Sequence, residues 1–169
     1  MATFTQIGTA QVVGAGGAAS MDFSVIPSTY TDLVVKVSAR SNRSDTSDNL
    51  IISFNGSTSS LSFRYLQGSG ATAYSSSGST GYVGSMDGNT ATSSTFGNAE
   101  IYIPNYAGST YKSVSSDTVD ETNATNAYAT LTAQLWSNTA AITSISLKPQ
   151  VGSLFNQHST AYLYGVSNA

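Results

Sequence analysis

Three kinds of residue in this sequence could carry chemistry: a glycine-rich run, a single histidine and small groups of acids. The run from Val13 to Ala19 superficially matches the glycine fingerprint of dinucleotide-binding proteins. That fingerprint works when a helix begins at its last glycines, because the backbone amides must meet the pyrophosphate. The segment that follows, Ser20–Pro27, alternates like a strand and ends in proline. We interpret the run as a flexible turn between two strands.

His158 is the single histidine, and it would have to serve as the base of any serine hydrolase triad. Such a triad needs a third group that orients the base, and nothing in the neighbouring Phe155–Gln157 indicates one. We therefore interpret His158 as a loop residue before the last strand. No pair of carboxylates stands out for glycoside cleavage, although several acids are available. The sequence predicts no catalytic residues and no enzymatic activity.

Small groups of acids could bind a hard cation such as calcium, which takes about six to eight oxygen ligands. No group has the spacing of a known calcium loop, so we predict neither metal nor cofactor and interpret each group as a solvated turn. The third group stays open as an alternative. Arg40 and Arg43, beside the first group, predict surface ion pairs that cap a loop. The groups are Asp45 with Asp48, Asp87 with Asn89, and Asp117 with Asp120 and Glu121.

Ten tyrosines and one tryptophan favour adhesion over catalysis, since exposed aromatic rings stack on sugars or anchor protein interfaces. Four tyrosines lie in loop-like stretches, and the alternative is that they pack beneath a long loop. Trp136 lies on an alternating segment, so we expect it in the core. The candidate partner-binding residues are Phe4, Ile7, Tyr74, Tyr82, Tyr106 and Tyr111.

The composition narrows the classes of partner. Charged residues make up 9% of the chain and the net charge is −3, against roughly 25% charged residues in an average domain. No basic run could follow the phosphate backbone of a nucleic acid, and no long apolar run could span a membrane. We therefore predict that neither a nucleic acid nor a membrane is a partner. The first residues lack the features of a signal peptide, and we expect no export by the general secretory route. Without cysteine there are no disulfides.

Apolar and polar residues alternate with a period of two along most of the chain, which predicts strands. In the clearest case, Thr31–Ser41, every second residue from Leu33 to Ala39 is apolar. Asn126–Trp136 could alternatively form a helix. The other predicted strands are Phe4–Gly8, Gln11–Gly14, Met21–Val25, Asn49–Asn55, Ser60–Leu66, Ala99–Ile103, Lys112–Val119, Leu131–Trp136, Ile142–Leu147 and Ala161–Val166.

These strands predict a single all-β domain, a β-sandwich that is most simply a jelly roll. The tight-turn pair Asn55-Gly56 predicts a hairpin that joins the strands on either side of it. Gly68–Ser94 is rich in small residues, so we predict a long excursion with a weak hairpin around Gly81–Met86. We divide the chain into an N-terminal arm with the first strands, residues 1–20, and the sandwich, residues 21–169. The arm and the excursion are expected to contact partners, because both are too small and polar to build core.

Several segments resemble virion proteins of tailed bacteriophages. In those proteins an F-x-x-I-P-x-x-Y-x-x-L phrase leads into a strand, as Phe23–Leu33 does here. The resemblance extends from Phe23 to the end of the chain. The other segments that carry it are Phe54–Gly56, Ser62–Gly70, Ala99–Ser109 with Lys112-Ser113, Leu135–Leu147 and Ala161–Gly165.

This resemblance implies a β-sandwich without catalytic residues that forms oligomers, often trimers. Fibre proteins usually place such a module behind a long shaft, whereas about twenty residues precede it here. We therefore expect a capsid decoration (cement) protein of the virion, assembled in the host cytoplasm. Its partners would be the major capsid protein or other virion proteins and neighbouring copies. The alternative is a tail, collar or fibre-tip module that binds a receptor such as a host surface glycan.

Overall fold

The computed structural model describes residues 2–123 and 127–167, and it confirms the all-β prediction. Met1 of the predicted arm and Asn126 of the alternative helix lie outside the described residues. No helix long and apolar enough to cross a membrane occurs in the described part of the chain. The strands are β1 (Thr3–Gln6), β2 (Gln11–Val12), β3 (Met21–Phe23), β4 (Asp32–Ala39), β5 (Ser47–Phe54), β6 (Leu61–Gly68), β7 (Ala73–Gly78), β8 (Tyr82–Asp87), β9 (Gly97–Pro104), β10 (Lys112–Asp120), β11 (Tyr128–Trp136), β12 (Ile145–Pro149) and β13 (Thr160–Ser167).

Two antiparallel sheets of unequal width form a β-sandwich. The large sheet has the strand order β1-β13-β4-β9-β10-β11-β6-β7, and β2 also pairs with β13. The small sheet has the order β3-β12-β5-β8. The large sheet is therefore wider than the small one, and its last strands, β6 and β7, extend past β8. The jelly-roll connectivity stays a prediction.

The apolar core lies where the middle of the small sheet faces β4, β9 and β13. Each of these strands buries every second side chain, as the alternation in the sequence predicts. Burying one such aliphatic side chain contributes about 1.5–3 kcal/mol. The fully buried aliphatic residues of this core include Leu33, Val35, Ile52, Ile101, Ile103, Leu147 and Leu163.

The N-terminal segment belongs to the large sheet. Strand β1 pairs with β13, and all four of its residues are exposed. The Ile7 amide donates a hydrogen bond to the Leu163 carbonyl (2.8 Å), and the Ile7 side chain joins the core. Val13 is also buried. This segment therefore contributes to the core, contrary to the expectation that it is too small and polar to do so.

The predicted hairpin between β5 and β6 is wrong, although its turn is present. Asn55 and Gly56 both have positive φ (53° and 71°), as the tight turn requires. However, β5 pairs with β12 and β8, whereas β6 pairs with β11 and β7. The Asn55 side chain accepts a hydrogen bond from the Thr143 amide (2.8 Å), which fastens the turn to the segment before β12. The chain thus passes from the small sheet to the large one.

The segment Gly68–Ser94 contains two strands, β7 and β8, and is not one long loop. They belong to different sheets, so the predicted weak hairpin is wrong. All six residues of β8 are buried, which contradicts the expectation that this segment builds no core. Its backbone comes close to the large sheet at Gly84, where an added Cβ would lie 2.1 Å from Thr118 Oγ1. Small residues are typical of loops, but here they permit close packing of β8 against the large sheet.

Candidate functional site

Strand β11 buries threonine and glutamine side chains and exposes the alanine and leucine side chains between them, up to the buried Trp136. Strand β10 shares this arrangement only near its end, because it also buries Val114 and exposes two serines. In β11, Leu131 is 59% exposed whereas Thr132 is 1% exposed. In β10, Thr118 is buried and Val119 is exposed. The strand prediction for Leu131–Trp136 is confirmed, and Trp136 is buried as expected. The alternation in sequence is therefore present, but in this part of the sheet the polar residues face the interior and the apolar residues face outward.

The buried polar side chains of β10 and β11 donate hydrogen bonds to the backbone of β8, the edge strand of the small sheet. Strand β8 pairs with β5 on one side, and its other edge packs against β10 and β11. The Ser116 hydroxyl donates to the Val83 carbonyl (2.7 Å), and the Gln134 side-chain amide donates to the Tyr82 carbonyl. A buried backbone carbonyl needs a donor, so this part of the large sheet requires polar side chains on its inner face.

As a consequence, apolar side chains form a continuous surface on the outside of the large sheet. Leu66 of β6 lies directly opposite Leu131, and Val119 lies opposite Ala129. Contiguous apolar surface of this kind marks interaction sites on folded proteins. We call this surface the outer patch; it consists of Leu66, Val119, Ala129, Leu131, Ala133 and Leu135.

Charges of opposite sign flank the outer patch. Arg64 lies opposite Ala133 on one side, and Asp117 lies opposite Leu131 on the other. Neither takes part in the ion pairs found between described residues, in contrast to Lys36 and Glu100 farther along the sheet, which are 2.7 Å apart. Arg64 and Asp117 are thus available to groups outside this chain.

Three of the predicted partner-binding residues are exposed, at separate places. Tyr74 lies on the edge strand β7 and lines a shallow groove together with Leu66 and Leu131 of the outer patch. Tyr111 is exposed in the turn before β10, and Phe4 is exposed on β1 at the far edge of the sheet. These three residues therefore do not form one site.

The other predicted partner-binding residues lie in the interior. Ile7 is in the core, Tyr82 in β8 is 5% exposed, and Tyr106 is fully buried. The Tyr106 hydroxyl donates to the Pro27 carbonyl, and burial raises its pKa. Tyr82 lies on strand β8 and not in a loop, whereas Tyr106 lies in the loop between β9 and β10 as predicted. Both side chains are packed in the interior, so neither is an accessible partner-binding residue in this chain. The alternation around them was too short to indicate this.

A second concave surface lies where β6 and β7 extend past the small sheet. Its floor carries the rings of Phe63 and Tyr65, whose centroids are 6.1 Å apart with an interplanar angle of 11°. Tyr82 packs against both rings, at 4.9 Å from Phe63 and 5.1 Å from Tyr65. We call this surface the ledge groove, and it has a volume of about 350 Å³. The alternation in Ser60–Leu66 places Phe63 and Tyr65 on one face of the strand, but it does not indicate that their rings meet Tyr82 here.

Three of the acids interpreted as parts of solvated turns are buried instead. Asp48, Asp87 and Asp120 are each 0% exposed. Burial, together with smaller contributions from the nearby Asp87 and Glu121 carboxyls, raises the pKa of Asp120 to about 7. Burial also raises the pKa of Asp87. The Tyr128 amide donates to Asp120 Oδ1 (2.8 Å), while Asp120 Oδ2 has no hydrogen-bond partner among the described residues.

The two arginines of the first acidic group have different roles. Arg43 pairs with Asp45 (2.9 Å), as predicted. Arg40 is buried, and its guanidinium donates to the backbone carbonyls of the segment between β8 and β9, including Ala91 (2.9 Å) and Thr92 (2.7 Å). The prediction of a surface ion pair is therefore wrong for Arg40, which holds this segment against the sandwich.

Of the residues considered for catalysis or metal binding, the structure brings Asp87 close to Asp120 and Glu121. His158 is exposed with φ of 74°, and its amide donates to the Val13 carbonyl (2.9 Å). The glycine-rich run forms the predicted turn, in which the Gly17 amide donates to the Gly14 carbonyl (3.0 Å). No group of three or more acids or histidines is arranged for a metal ion in the described part of the chain.

None of the family models, curated proteins or solved structures compared with this chain matches it. The outer patch and the ledge groove are therefore the features of this protein that bear on its function. The outer patch is apolar with charged flanks, which suits contact with a protein. The ledge groove is concave and aromatic, which suits a smaller ligand.

Proposed function

We propose that this protein is a non-enzymatic structural component of a tailed-phage virion, most specifically a capsid decoration protein. The observation that supports the proposal is the outer patch, where a rigid sheet presents leucine, valine and alanine side chains to the outside. Apolar area removed from water contributes about 25 cal/mol per Å². A protein that functions by contact needs such a surface, and it needs no catalytic residues.

The first occupant of the outer patch is another copy of this chain. Arg64 and Asp117 lie on opposite sides of the patch. Copies that pack through it bring Arg64 of one against Asp117 of the next, so the charges complement each other as the apolar side chains are covered. Many symmetric copies then make modest contacts effective through avidity. We expect a trimer, in line with the resemblance in the sequence.

The contacts to the capsid are assigned to the exposed edges of the large sheet. All four residues of β1 and all six residues of β7 are exposed. An open strand edge offers backbone donors and acceptors to another chain. Binding of this kind stabilises only the assembled particle that it recognises. In the rival proposal, the same module is a fibre tip or collar subunit that binds a receptor.

Sedimentation velocity of the wild type and of Leu131→Ser tests the oligomer. We expect the wild type to sediment as a trimer and the variant as a monomer, because a hydroxyl in the patch loses apolar contact. Val151→Ser is the matched control, since Val151 is similarly exposed but lies after β12, away from the patch. A monomeric wild type, or a Leu131→Ser variant that assembles like the wild type, contradicts the proposal.

Cross-linking mass spectrometry on purified phage particles tests where on the virion this protein is located. We expect cross-links mainly to the major capsid protein and to neighbouring copies, at high copy number. Cross-links confined to portal, collar or tail proteins contradict the decoration proposal and favour the rival.

A further inference from the structure

The ledge groove has no role in the proposed function and differs from the outer patch in its chemistry. It lies on the inner face of β6, at the place where the small sheet ends. One wall is formed by β5 and β8 and the segment after β12, which contribute Asn49, Ser85 and Gln150. The volume, about 350 Å³, is within the range of small-molecule sites, about 300–1,000 Å³.

The floor of the groove is an aromatic platform. The rings of Phe63 and Tyr65 are nearly parallel, 11° apart, and both are half-buried. Buried Tyr82 supports them from the interior at 4.9 and 5.1 Å. The face of an aromatic ring carries partial negative charge, which attracts the C–H groups on the flat side of a pyranose. Because the ring centroids are 6.1 Å apart, we expect each ring to contact one of two consecutive sugar units.

The wall of the groove is polar and held in place. The Asn49 side-chain amide donates to Gln150 Oε1 (2.6 Å), and the Gln150 backbone amide donates to the Asn49 carbonyl (2.9 Å). Gln67 Nε2 donates to Ser85 Oγ (3.0 Å) and to Thr130 Oγ1 (3.0 Å). Fixed amides and hydroxyls suit hydroxyl-rich ligands, because little side-chain entropy is lost when the ligand binds.

The groove also lacks charge. Its lining, as far as the described residues form it, contains serine, threonine, asparagine, glutamine, tyrosine and phenylalanine. An anionic ligand would find no cation there, and a cationic ligand would find no carboxylate. The combination of flat aromatic rings, fixed neutral hydrogen-bonding groups and no charge selects against phosphates, acidic sugars and peptides with charged side chains.

We propose that the ledge groove is a binding site for a neutral saccharide, with Tyr65 and Phe63 as the stacking platform and Gln150 and Asn49 as the hydrogen-bonding wall. Of the tyrosines that the sequence suggested for partner binding, Tyr82 belongs to this site, where it packs against the two platform rings. Binding requires no chemical step and leaves the ligand unchanged. A decoration or fibre-tip protein with this groove would attach the particle weakly to uncharged polysaccharide through many copies.

Isothermal titration with four neutral hexasaccharides, maltohexaose, cellohexaose, chitohexaose and mannohexaose, tests the proposal on the full chain. Saturation-transfer NMR with the same probes identifies the sugar protons that contact the protein. We expect at least one hexasaccharide to bind, and Tyr65→Ala to weaken that binding about tenfold or more, equivalent to about 1.4 kcal/mol. Gln150→Ala should weaken it less.

Two controls keep the outcome decisive. Tyr111→Ala removes an exposed tyrosine from the turn before β10 and should leave binding unchanged. Tyr65→Phe keeps the ring and should retain most of the affinity even if Tyr65→Ala proves unstable. Absence of binding for all four hexasaccharides at millimolar concentration overturns the proposal, as does equal binding by the wild type and by a folded Tyr65→Ala variant. Either result leaves the outer-patch oligomer untouched, because the two surfaces are separate.

Discussion

Strands β4 and β11 show the same alternation of apolar and polar residues, but they bury opposite halves of it. In β4, Leu33 and Val35 point into the sandwich and are fully buried. In β11, Leu131 points outward, and Thr132 takes the inner position. Both strands lie in the same sheet, so neither strand type nor sheet type explains the difference.

The difference comes from what each strand faces. Strand β4 lies over the middle of the small sheet, where side chains meet side chains and apolar residues pack. Strand β11 lies over the edge strand β8, where the backbone must be hydrogen-bonded to side chains such as Gln134. The inner face of a sheet is thus apolar over a partner's face and polar over a partner's edge. In this protein the polar inner face over the edge strand β8 leaves the apolar side chains of β11 on the outside, where they form the outer patch.

The largest effect on the free energy of unfolding is expected from a substitution in the apolar core. Leu163→Ala removes a fully buried side chain of β13, and we expect it to lower the free energy of unfolding by about 3–5 kcal/mol through lost burial and a cavity. Val151→Ala, at an exposed position, should change it by less than about 0.5 kcal/mol. Chemical denaturation measures both. Similar values for the two variants would mean that the apolar core is not where the stability resides.

An intermediate effect on stability is expected at Asp120, which is buried on the polar inner face of β10, and this effect depends on pH. The folded-state pKa of about 7 lies above the ordinary value of 3.8, so the folded protein binds a proton more tightly than the unfolded chain. The stabilisation that protonated Asp120 contributes is therefore complete below about pH 4, and it is lost as the pH rises through 7. Asp120→Asn should flatten this dependence and raise stability at pH 8 by a value on the order of 2–3 kcal/mol.

Asp22→Asn is the matched control for Asp120→Asn, because Asp22 is an exposed aspartate on strand β3 of the small sheet, away from the outer patch. Melting temperatures between pH 5 and pH 8 should show the same slope for this variant as for the wild type. If Asp120→Asn retains the wild-type slope, the pKa of Asp120 is not the source of the pH dependence.

The smallest effect separates two threonines on the inner face of β11. Thr132 Oγ1 has no hydrogen-bond partner among the described residues, whereas Thr130 Oγ1 accepts a hydrogen bond from Gln67. Thr132→Val should stabilise the protein by about 1 kcal/mol, because an unsatisfied buried hydroxyl is replaced by a methyl group. Thr130→Val should destabilise it by a similar amount. A loss of stability at both positions would indicate that Thr132 also has a partner.

Local residue patterns were sufficient to predict the fold class and much of the strand layout. The alternation at Leu33–Ala39 places β4 and its buried face, and the alternation at Leu61–Tyr65 places β6. Asn55-Gly56 predicts its turn, since few other residues accept positive φ at both positions. The hairpin was wrong because a turn defines a change of direction and not the strand that pairs next.

The two surfaces could not be predicted from the sequence. The alternation of Leu131 with Thr132 shows that the two side chains lie on opposite faces, but it does not show which face is covered. That depends on where β8 ends the small sheet, as does the exposure of Phe63 and Tyr65 beyond it. The sequence by itself determined the strands, because alternation and turn geometry act between near neighbours. The tertiary structure decided which faces are buried, because burial depends on residues far apart in the chain.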